Sequence, residues 1–265
     1  MGSLDLGFGK FDKTSSELAR RTVASSAVEL KLQRVGAWCG TAMIVLYSVC
    51  FSGIAKLFPP MSPSDTAEQT DAFLTTENLW VRFGLAGALL AAALAIPFHA
   101  VIVLRLRRAE GQWGMLTLTQ ILAAAIFTPA MMFSLMALAA AAFRAGQRDP
   151  EITQAFSDFF WLWFIGIVGT IVMQNLTLAI ASFTDKGNPP TFPRWYGFLN
   201  LWVAMLSLPG CVVIAMNTGP LAWDGVFSYY LPGLALIVWM IGTTVVLLKS
   251  IKAEEAAESR LAATP

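Results

Sequence analysis

The sequence is poor in the residues that build metal and redox sites. It holds one His and three Cys among 265 residues. Haem, iron and zinc sites take several His or Cys ligands, so this set excludes a bis-histidine haem, an iron site ringed by histidines and a zinc ribbon. A Gly-rich phosphate loop and a His-Glu-x-x-His motif are also missing from the sequence. We therefore expect neither a metal nor a cofactor.

Charged residues are scarce as well, at 13% of the chain, whereas 56% of the residues are hydrophobic. Soluble domains have about 25% charged and about 45–50% apolar residues. With a mean hydropathy of +0.62, the composition excludes an ordinary water-soluble fold. Lys and Arg number 18 against 17 Asp and Glu, so the chain also lacks the excess positive charge of a nucleic-acid-binding protein. Composition therefore indicates an integral membrane protein without a nucleic-acid partner.

Six apolar segments are long enough to cross a bilayer, which takes about 20 residues in a helix. They cover residues 36–57, 80–104, 115–143, 159–183, 196–216 and 226–248. The loops between them are too short for a second folded domain. The predicted fold is all-α, a polytopic membrane bundle of six helices over residues 36–248.

The distribution of Lys and Arg predicts the orientation, because cytoplasmic segments carry an excess of both. One side of the predicted bundle holds Lys10, Lys13, Arg20, Arg21, Lys31, Arg34, Arg105, Arg107, Arg108, Lys186, Arg194, Lys249, Lys252 and Arg260. The other side has Arg144 and Arg148 in its loops, and Lys56 and Arg82 at span edges. We therefore expect both termini in the cytoplasm.

The two ends of the chain are more polar than the predicted spans. Residues 1–35 form a cytoplasmic N-terminal tail, and Thr14 and Glu17 have the spacing of a helix capping box. Residues 15–35 are thus either a helix on the inner membrane face or a partly ordered tail. Residues 249–265 are predicted to be a cytoplasmic C-terminal tail.

Four predicted spans contain an internal proline, and each proline removes a backbone hydrogen bond and kinks its helix. These are Pro97, Pro129, Pro209 and Pro232. A single proline is ordinary in a membrane helix, but four in six spans favour a cavity between splayed helices.

Three acidic residues abut apolar, aromatic-rich span ends on the non-cytoplasmic side: Glu77, Asp158 and Asp224. Arg82, just inside the second span, requires an acidic partner or a route for its side chain to water. A carboxyl group at such a boundary acts as a general acid if desolvation dominates, or forms a structural ion pair if it meets the arginine. The sequence leaves both readings open.

Aromatic and neutral polar residues mark two further layers of the spans. Three aromatic residues lie on the same side of the bundle as the three acids: Trp161, Trp223 and Tyr229. They are ordinarily interpreted as part of an interfacial aromatic belt. Alternatively, they form the walls of a pocket that stabilises a cation. The cytoplasmic halves carry His99, Gln120, Gln174, Asn175 and Asn200. We expect these five to form hydrogen bonds between helices.

Three strings carry a resemblance: FPRW at 192–195, LNLW at 199–202 and TGPLAWDG at 218–225. They look like segments of small multi-span proteins of actinobacteria and fungi. The size, the MGS start and the whole-chain pattern resemble the fungal integral-membrane terpene cyclases of meroterpenoid biosynthesis, of the ascochlorin and ascofuranone type. The resemblance implies a metal-independent isomerase or lyase of secondary metabolism that protonates the epoxide of a prenylated aromatic substrate and guides ring closure.

Under that resemblance, Asp158 is the expected acid, Glu77 or Asp224 is its base or partner, and Arg82 orients one of them. Trp161, Trp223 and Tyr229 would line the pocket for a lipophilic prenylated substrate. Two other functions remain open: a small transporter or exporter of a hydrophobic metabolite, and a non-catalytic membrane subunit. The host membrane is the endoplasmic reticulum for a fungal chain and the inner membrane for a bacterial one.

Overall fold

Six long apolar helices form the bundle, which confirms the predicted fold class. The computed structural model describes the backbone of residues 8–263 and the side chains of residues 27–260. Within that part the candidate spans are Ala27–Ile54, Asn78–Glu110, Met115–Phe143, Pro150–Thr184, Arg194–Val212 and Val226–Arg260. Six crossings place both chain ends on one side, the side that the Lys and Arg distribution identifies as cytoplasmic.

The described part of the chain contains nine α-helices: eight belong to the six spans, because two spans are interrupted, and one short helix lies between spans. The helices are α1 (Phe8–Ser48), α2 (Ala67–Thr76), α3 (Asn78–Ala93), α4 (Ala95–Glu110), α5 (Met115–Phe143), α6 (Pro150–Gly166), α7 (Val168–Thr184), α8 (Arg194–Ser207) and α9 (Leu231–Ala263). The helix α2 belongs to the outer loop after the first span and begins with a capping box between Thr66 and Gln69.

Pro97 and Pro209 account for two departures from regular α-helix. A proline ring clashes with the carbonyl group four residues earlier, and for Pro97 that residue is Ala93, where α3 ends. Pro209 likewise follows the end of α8, and the chain continues as a 3₁₀ turn over Leu208–Val212. The fifth span therefore ends earlier than the predicted residue 216.

Two spans contain π-helical turns, in which the N–H group bonds to the carbonyl group five residues earlier. The first π segment is Val49–Ile54, where Ala55 N–H donates to the Cys50 carbonyl at 2.9 Å. The second π segment is Val226–Tyr230, where Leu231 N–H donates to the Val226 carbonyl. Pro232, one residue further on, cannot donate to Ser228, which explains the looser turn.

Close packing around the first π segment depends on a small residue of α3. A Cβ atom added to Gly84 would lie 2.5 Å from the backbone nitrogen of Ala55 and 2.6 Å from the Cys50 carbonyl oxygen. Small residues at helix contacts let backbones approach in this way in membrane bundles. Gly84 thus fixes the distance between the first two spans on the outer side.

Both predicted tails are helical where the structure describes them. The helix α1 starts at Phe8, so the segment 15–35 is helix; how residues 15–26 lie against the membrane is outside the described side chains. The helix α9 continues to Ala263. Glu254 and Glu255 of α9 pair with arginines of α4 and α1, so this region packs against the bundle instead of extending freely.

Candidate functional site

An apolar cavity of about 370 Å³ lies in the outer half of the bundle. Its walls come from α1 and the first π segment, α5, the junction of α6 and α7, the second π segment and the start of α9. The aromatic residues of its lining are Tyr47, Phe51, Phe58, Phe127, Phe164, Tyr229 and Tyr230. We refer to it as the aromatic cavity. Its volume is at the lower end of the range of about 300–1,000 Å³ that is common for small-molecule sites.

Three rings form a stack on one wall of the aromatic cavity. The Tyr47 ring lies 5.4 Å from Phe51 and 6.4 Å from Phe164, measured between centroids, with interplanar angles of 16° and 7°. Phe51 and Phe164 are 5.6 Å apart. Tyr47 and Phe51 are one helical turn apart on the first span, so neighbouring turns of one helix supply two of the three rings.

A second aromatic layer supports this wall from behind. The Trp161 side chain is fully buried, and its ring contacts Tyr229 at 6.1 Å and Phe51 at 6.3 Å, both edge-on. Trp161 does not itself reach the cavity surface. Of the three aromatic residues predicted for a pocket, Tyr229 therefore lines it and Trp161 holds Tyr229 in place.

The third predicted aromatic residue, Trp223, lies in an outer loop contact. Its indole N–H donates to the Met61 carbonyl at 2.8 Å, and the adjacent Asp224 accepts a hydrogen bond from Ser62 Oγ at 3.0 Å. These two bonds join the first outer loop to the loop before the sixth span. Neither residue lines the aromatic cavity.

The other predicted charged residues are separated from one another. Glu77 forms an ion pair with Lys56 at 2.7 Å. Arg82 stacks on Phe143, with the guanidinium carbon 4.8 Å from the ring centroid, and so has an aromatic partner rather than an acidic one. Asp158 is half-buried on α6, and no group of the described side chains forms a hydrogen bond or ion pair with it.

No charged side chain lines the aromatic cavity within the described residues. Its polar groups are the hydroxyls of Tyr47, Tyr229 and Tyr230 and three serines, Ser48, Ser52 and Ser228. The Ser228 hydroxyl donates to the Leu221 carbonyl at 2.9 Å. The Tyr47 hydroxyl is buried and has no hydrogen-bond partner in the described part of the protein. The site is therefore neutral and mostly apolar, with a few hydroxyls.

One edge of the aromatic cavity is open along the surface that the bundle presents to lipid. Its lining includes Phe58, Tyr230, Leu234 and Ile237, whose side chains are between 38% and 58% exposed. Leu234 and Ile237 lie within the sixth span, at membrane depth.

The deeper polar residues only partly form the expected bonds between helices. Gln120 Nε2 donates to Gln174 Oε1 at 3.2 Å, and Trp239 Nε1 donates to Asn200 Oδ1 at 2.9 Å. Asn175 donates to the Ile171 carbonyl of its own helix instead. His99 is buried, and neither ring nitrogen has a partner among the described residues.

Several residues of the aromatic cavity could have been identified from their spacing in the sequence. In the first span, Tyr47 and Phe51 are spaced by four residues, and so are Ser48 and Ser52. That spacing places an aromatic pair and a hydroxyl pair on adjacent strips of one helix face. Comparison with protein families, with curated proteins and with solved structures finds no match to this chain.

Proposed function

We propose that this protein binds an uncharged, lipophilic small molecule in the aromatic cavity. The observation that carries the proposal is the lining itself: seven aromatic residues, a small number of hydroxyls and no charged group within the described side chains. Small-molecule sites typically combine apolar walls with a few polar groups that fix orientation. A charged ligand would have to be desolvated there without a counter-charge, which costs far more than its apolar contacts return.

The open edge among Phe58, Leu234 and Ile237 supports entry from the membrane. A molecule with a long hydrocarbon tail partitions into the bilayer, because each buried methylene group contributes about 0.8 kcal/mol. It would then pass sideways into the cavity from the lipid phase. Binding of this kind suits a carrier of a hydrophobic metabolite and an enzyme that acts on one.

The stack of Tyr47, Phe51 and Phe164 favours a second, more specific proposal, ring closure of a prenylated aromatic epoxide. Aromatic faces stabilise a cation by about 0.5–2 kcal/mol each, and most when water is excluded. Protonation of the epoxide oxygen would break one C–O bond, an alkene of the same molecule would attack the cationic carbon, and loss of a proton would complete an isomerisation. No metal, nucleotide or second substrate is needed for that balance.

Asp158 is the proton donor in this second proposal. Of the three acids at the outer span ends, Glu77 is paired with Lys56 and Asp224 with Ser62, whereas Asp158 has no such partner among the described side chains. It lies one turn before Trp161 on α6, behind the wall that holds Tyr229. No carboxylate of the described residues lines the cavity. The epoxide end of the substrate would therefore extend beyond the lining to reach the Asp158 carboxyl group. Glu77 or Asp224 would accept the final proton, and Arg82, which lies on Phe143, takes no part in this proposal.

Photolabelling tests the binding proposal directly. The protein is reconstituted in lipid nanodiscs and irradiated with a diazirine-bearing farnesyl acetate, and labelled peptides are identified by mass spectrometry. We expect labels on the first span and on the start of α9. Gly233→Phe should suppress them, because Gly233 lines the cavity and a Cβ atom added there meets no other atom within 4 Å.

The matched control is Gly169→Phe. Gly169 is also a helical glycine at membrane depth with open space around an added Cβ atom, but it does not line the cavity. Ser52→Phe blocks the cavity from the opposite wall. Labelling that persists in Gly233→Phe and in Ser52→Phe at the level of Gly169→Phe would contradict a ligand site in the aromatic cavity.

Turnover tests the cyclase proposal. Microsomes containing the protein are supplied with a farnesylated phenol that carries a terminal epoxide, and cyclised products are measured by chromatography and mass spectrometry. Since a general acid contributes about 10²–10⁴-fold, Asp158→Asn should reduce product formation by about 10²-fold or more. Asp149→Asn, at the N-cap of the same helix, should leave it unchanged because asparagine caps a helix as well as aspartate does. Net movement of the epoxide across vesicles without conversion would favour the carrier instead.

A further inference from the structure

The Tyr47 hydroxyl is an unsatisfied polar group in the wall of the aromatic cavity. The Tyr47 side chain is 6% exposed, and its oxygen has no hydrogen-bond partner within the described residues. Leaving a buried hydroxyl unpaired carries a free-energy cost. Phenylalanine at this position would provide the same ring stack without that cost, so the hydroxyl calls for a partner from outside the protein's own groups.

Position distinguishes Tyr47 from the other buried groups without partners. Among the described side chains, the other unpaired buried atoms are both ring nitrogens of His99, Arg105 Nε, Gln120 Oε1, Trp161 Nε1 and Asn175 Oδ1. None of these five residues lines the aromatic cavity, whereas Tyr47 does. Its ring packs against both Phe51 and Phe164, which also contact each other. A molecule in the cavity is therefore placed to be its partner.

We infer, on the basis of the proposed binding function, that the Tyr47 hydroxyl donates a hydrogen bond to an acceptor oxygen of the bound molecule. The ligand class is accordingly an uncharged lipophilic molecule with a ketone, ether, ester or hydroxyl oxygen. A plain hydrocarbon would leave the hydroxyl unpaired. A carboxylate would enter a cavity without a counter-charge in the described lining.

The geometry also orients the ligand. Tyr47 contributes to the buried wall formed by the first span, with Met43 and Ile44 on the preceding turn, while the exposed edge lies at Phe58 and Leu234. An oxygen held by Tyr47 places the polar end of the molecule inside the cavity. The hydrocarbon tail then extends along the apolar edge towards lipid.

Competition against the photolabel tests this inference with two matched probes. One is farnesylacetone, which carries a single ketone, and the other is the hydrocarbon triene with the same carbon skeleton. Tyr47→Phe removes only the hydroxyl and keeps the ring. Because a neutral hydrogen bond contributes about 0.5–1.5 kcal/mol net, and about 1.4 kcal/mol is tenfold in affinity, we expect the ketone to bind about 3- to 10-fold more weakly. The hydrocarbon should bind equally well to the variant and to the unmodified protein.

Tyr196→Phe is the control. Tyr196 is buried on α8, outside the cavity, and its hydroxyl already pairs with Thr243 Oγ1 at 2.8 Å. Its substitution should affect neither probe. A ketone that binds Tyr47→Phe as tightly as the unmodified protein would overturn the inference and leave the binding function intact. Farnesoic acid competing as strongly as the ketone would overturn the uncharged ligand class. Failure of every probe to compete with the photolabel in the unmodified protein would instead remove the proposed function itself.

Discussion

Neutralising Glu254 should destabilise the protein far more than neutralising the adjacent Glu255. Glu254 pairs with Arg105 and Arg108 of α4, and the Arg105 side chain is only 2% exposed. Gln33 of α1 accepts a further hydrogen bond from Arg105. Glu254→Gln removes the carboxylate that forms an ion pair with the buried guanidinium group of Arg105. Breaking a fully buried ion pair costs about 3–5 kcal/mol of unfolding free energy. Because Gln33 still accepts a hydrogen bond from Arg105 and Glu254 is itself 21% exposed, we expect Glu254→Gln to lower the unfolding free energy by about 2–3 kcal/mol.

Glu255→Gln is the internal control, with the same change of charge one residue further along α9. Glu255 pairs with Arg34 at 2.6 Å, but the two side chains are 32% and 46% exposed. Exposed pairs contribute about 0–1 kcal/mol. Reversible unfolding in mixed micelles, followed by tryptophan fluorescence, measures both variants. Equal losses of unfolding free energy, or a larger loss for Glu255→Gln, would refute the view that burial of Arg105 makes the difference.

Three further substitutions test the packing of the bundle with the same unfolding assay. Gly84→Ala should lower the unfolding free energy by about 1–3 kcal/mol, because its Cβ atom would lie within 2.6 Å of backbone atoms around the first π segment. Gly169→Ala has open space around the added atom and should raise the unfolding free energy by up to about 1 kcal/mol through helix propensity. A lower unfolding free energy for Gly169→Ala would contradict the argument. Trp239→Phe should cost about 1–3 kcal/mol by leaving the buried Asn200 Oδ1 atom without its donor; an unchanged unfolding free energy would mean that this bond is not needed. Tyr47→Phe should leave the unfolding free energy unchanged or raise it by up to about 1 kcal/mol, since it removes an unpaired hydroxyl; a clear loss would give the hydroxyl a structural role.

The spans could be predicted because the bilayer imposes a minimum length on every apolar helix. Their number and type are confirmed, and the differences are at their ends. The predicted first span begins at residue 36, whereas the candidate span in the structure begins at Ala27. Polar residues between 27 and 36 hid that extension, since hydropathy reports the chemistry of a segment and not the continuity of its helix.

The C-terminal region shows where local chemistry was insufficient. Its charges are typical of a solvated tail, and a tail was predicted from residue 249. The structure shows helix to Ala263, and Glu254 and Glu255 face arginines on two other helices. Those partners are about 150 and 221 positions away in the sequence, so no local pattern could reveal them.

The candidate site depended on how each helix is rotated about its own axis, which the sequence does not determine for an almost wholly apolar span. Trp38 and Tyr47 are both aromatic residues of the first span, yet the first is 55% exposed and the second 6%. Likewise, Arg82, for which the sequence predicts an acidic partner or a route to water, is exposed and lies on Phe143. Tyr229 could be predicted as a pocket residue because it lies beside an aromatic-rich span end. No comparable position at a span end distinguishes Tyr47 from the other aromatic residues of the first span.

The aromatic cavity lies where three spans depart from a regular α-helix and a fourth, α5, contains a proline that removes a backbone hydrogen bond. The first and second π segments supply Phe51 and Tyr229, and the interruption of the fourth span supplies Ile167. In α5, the lining residues Phe127 and Met131 flank Pro129. Each departure weakens backbone hydrogen bonding in a medium that cannot replace it. Four such costs at one place are hard to attribute to packing, because regular helices would have closed the space with apolar contacts. Since π-helical turns are frequent at functional sites, their convergence makes the aromatic cavity the part of this protein where ligand binding should be tested first.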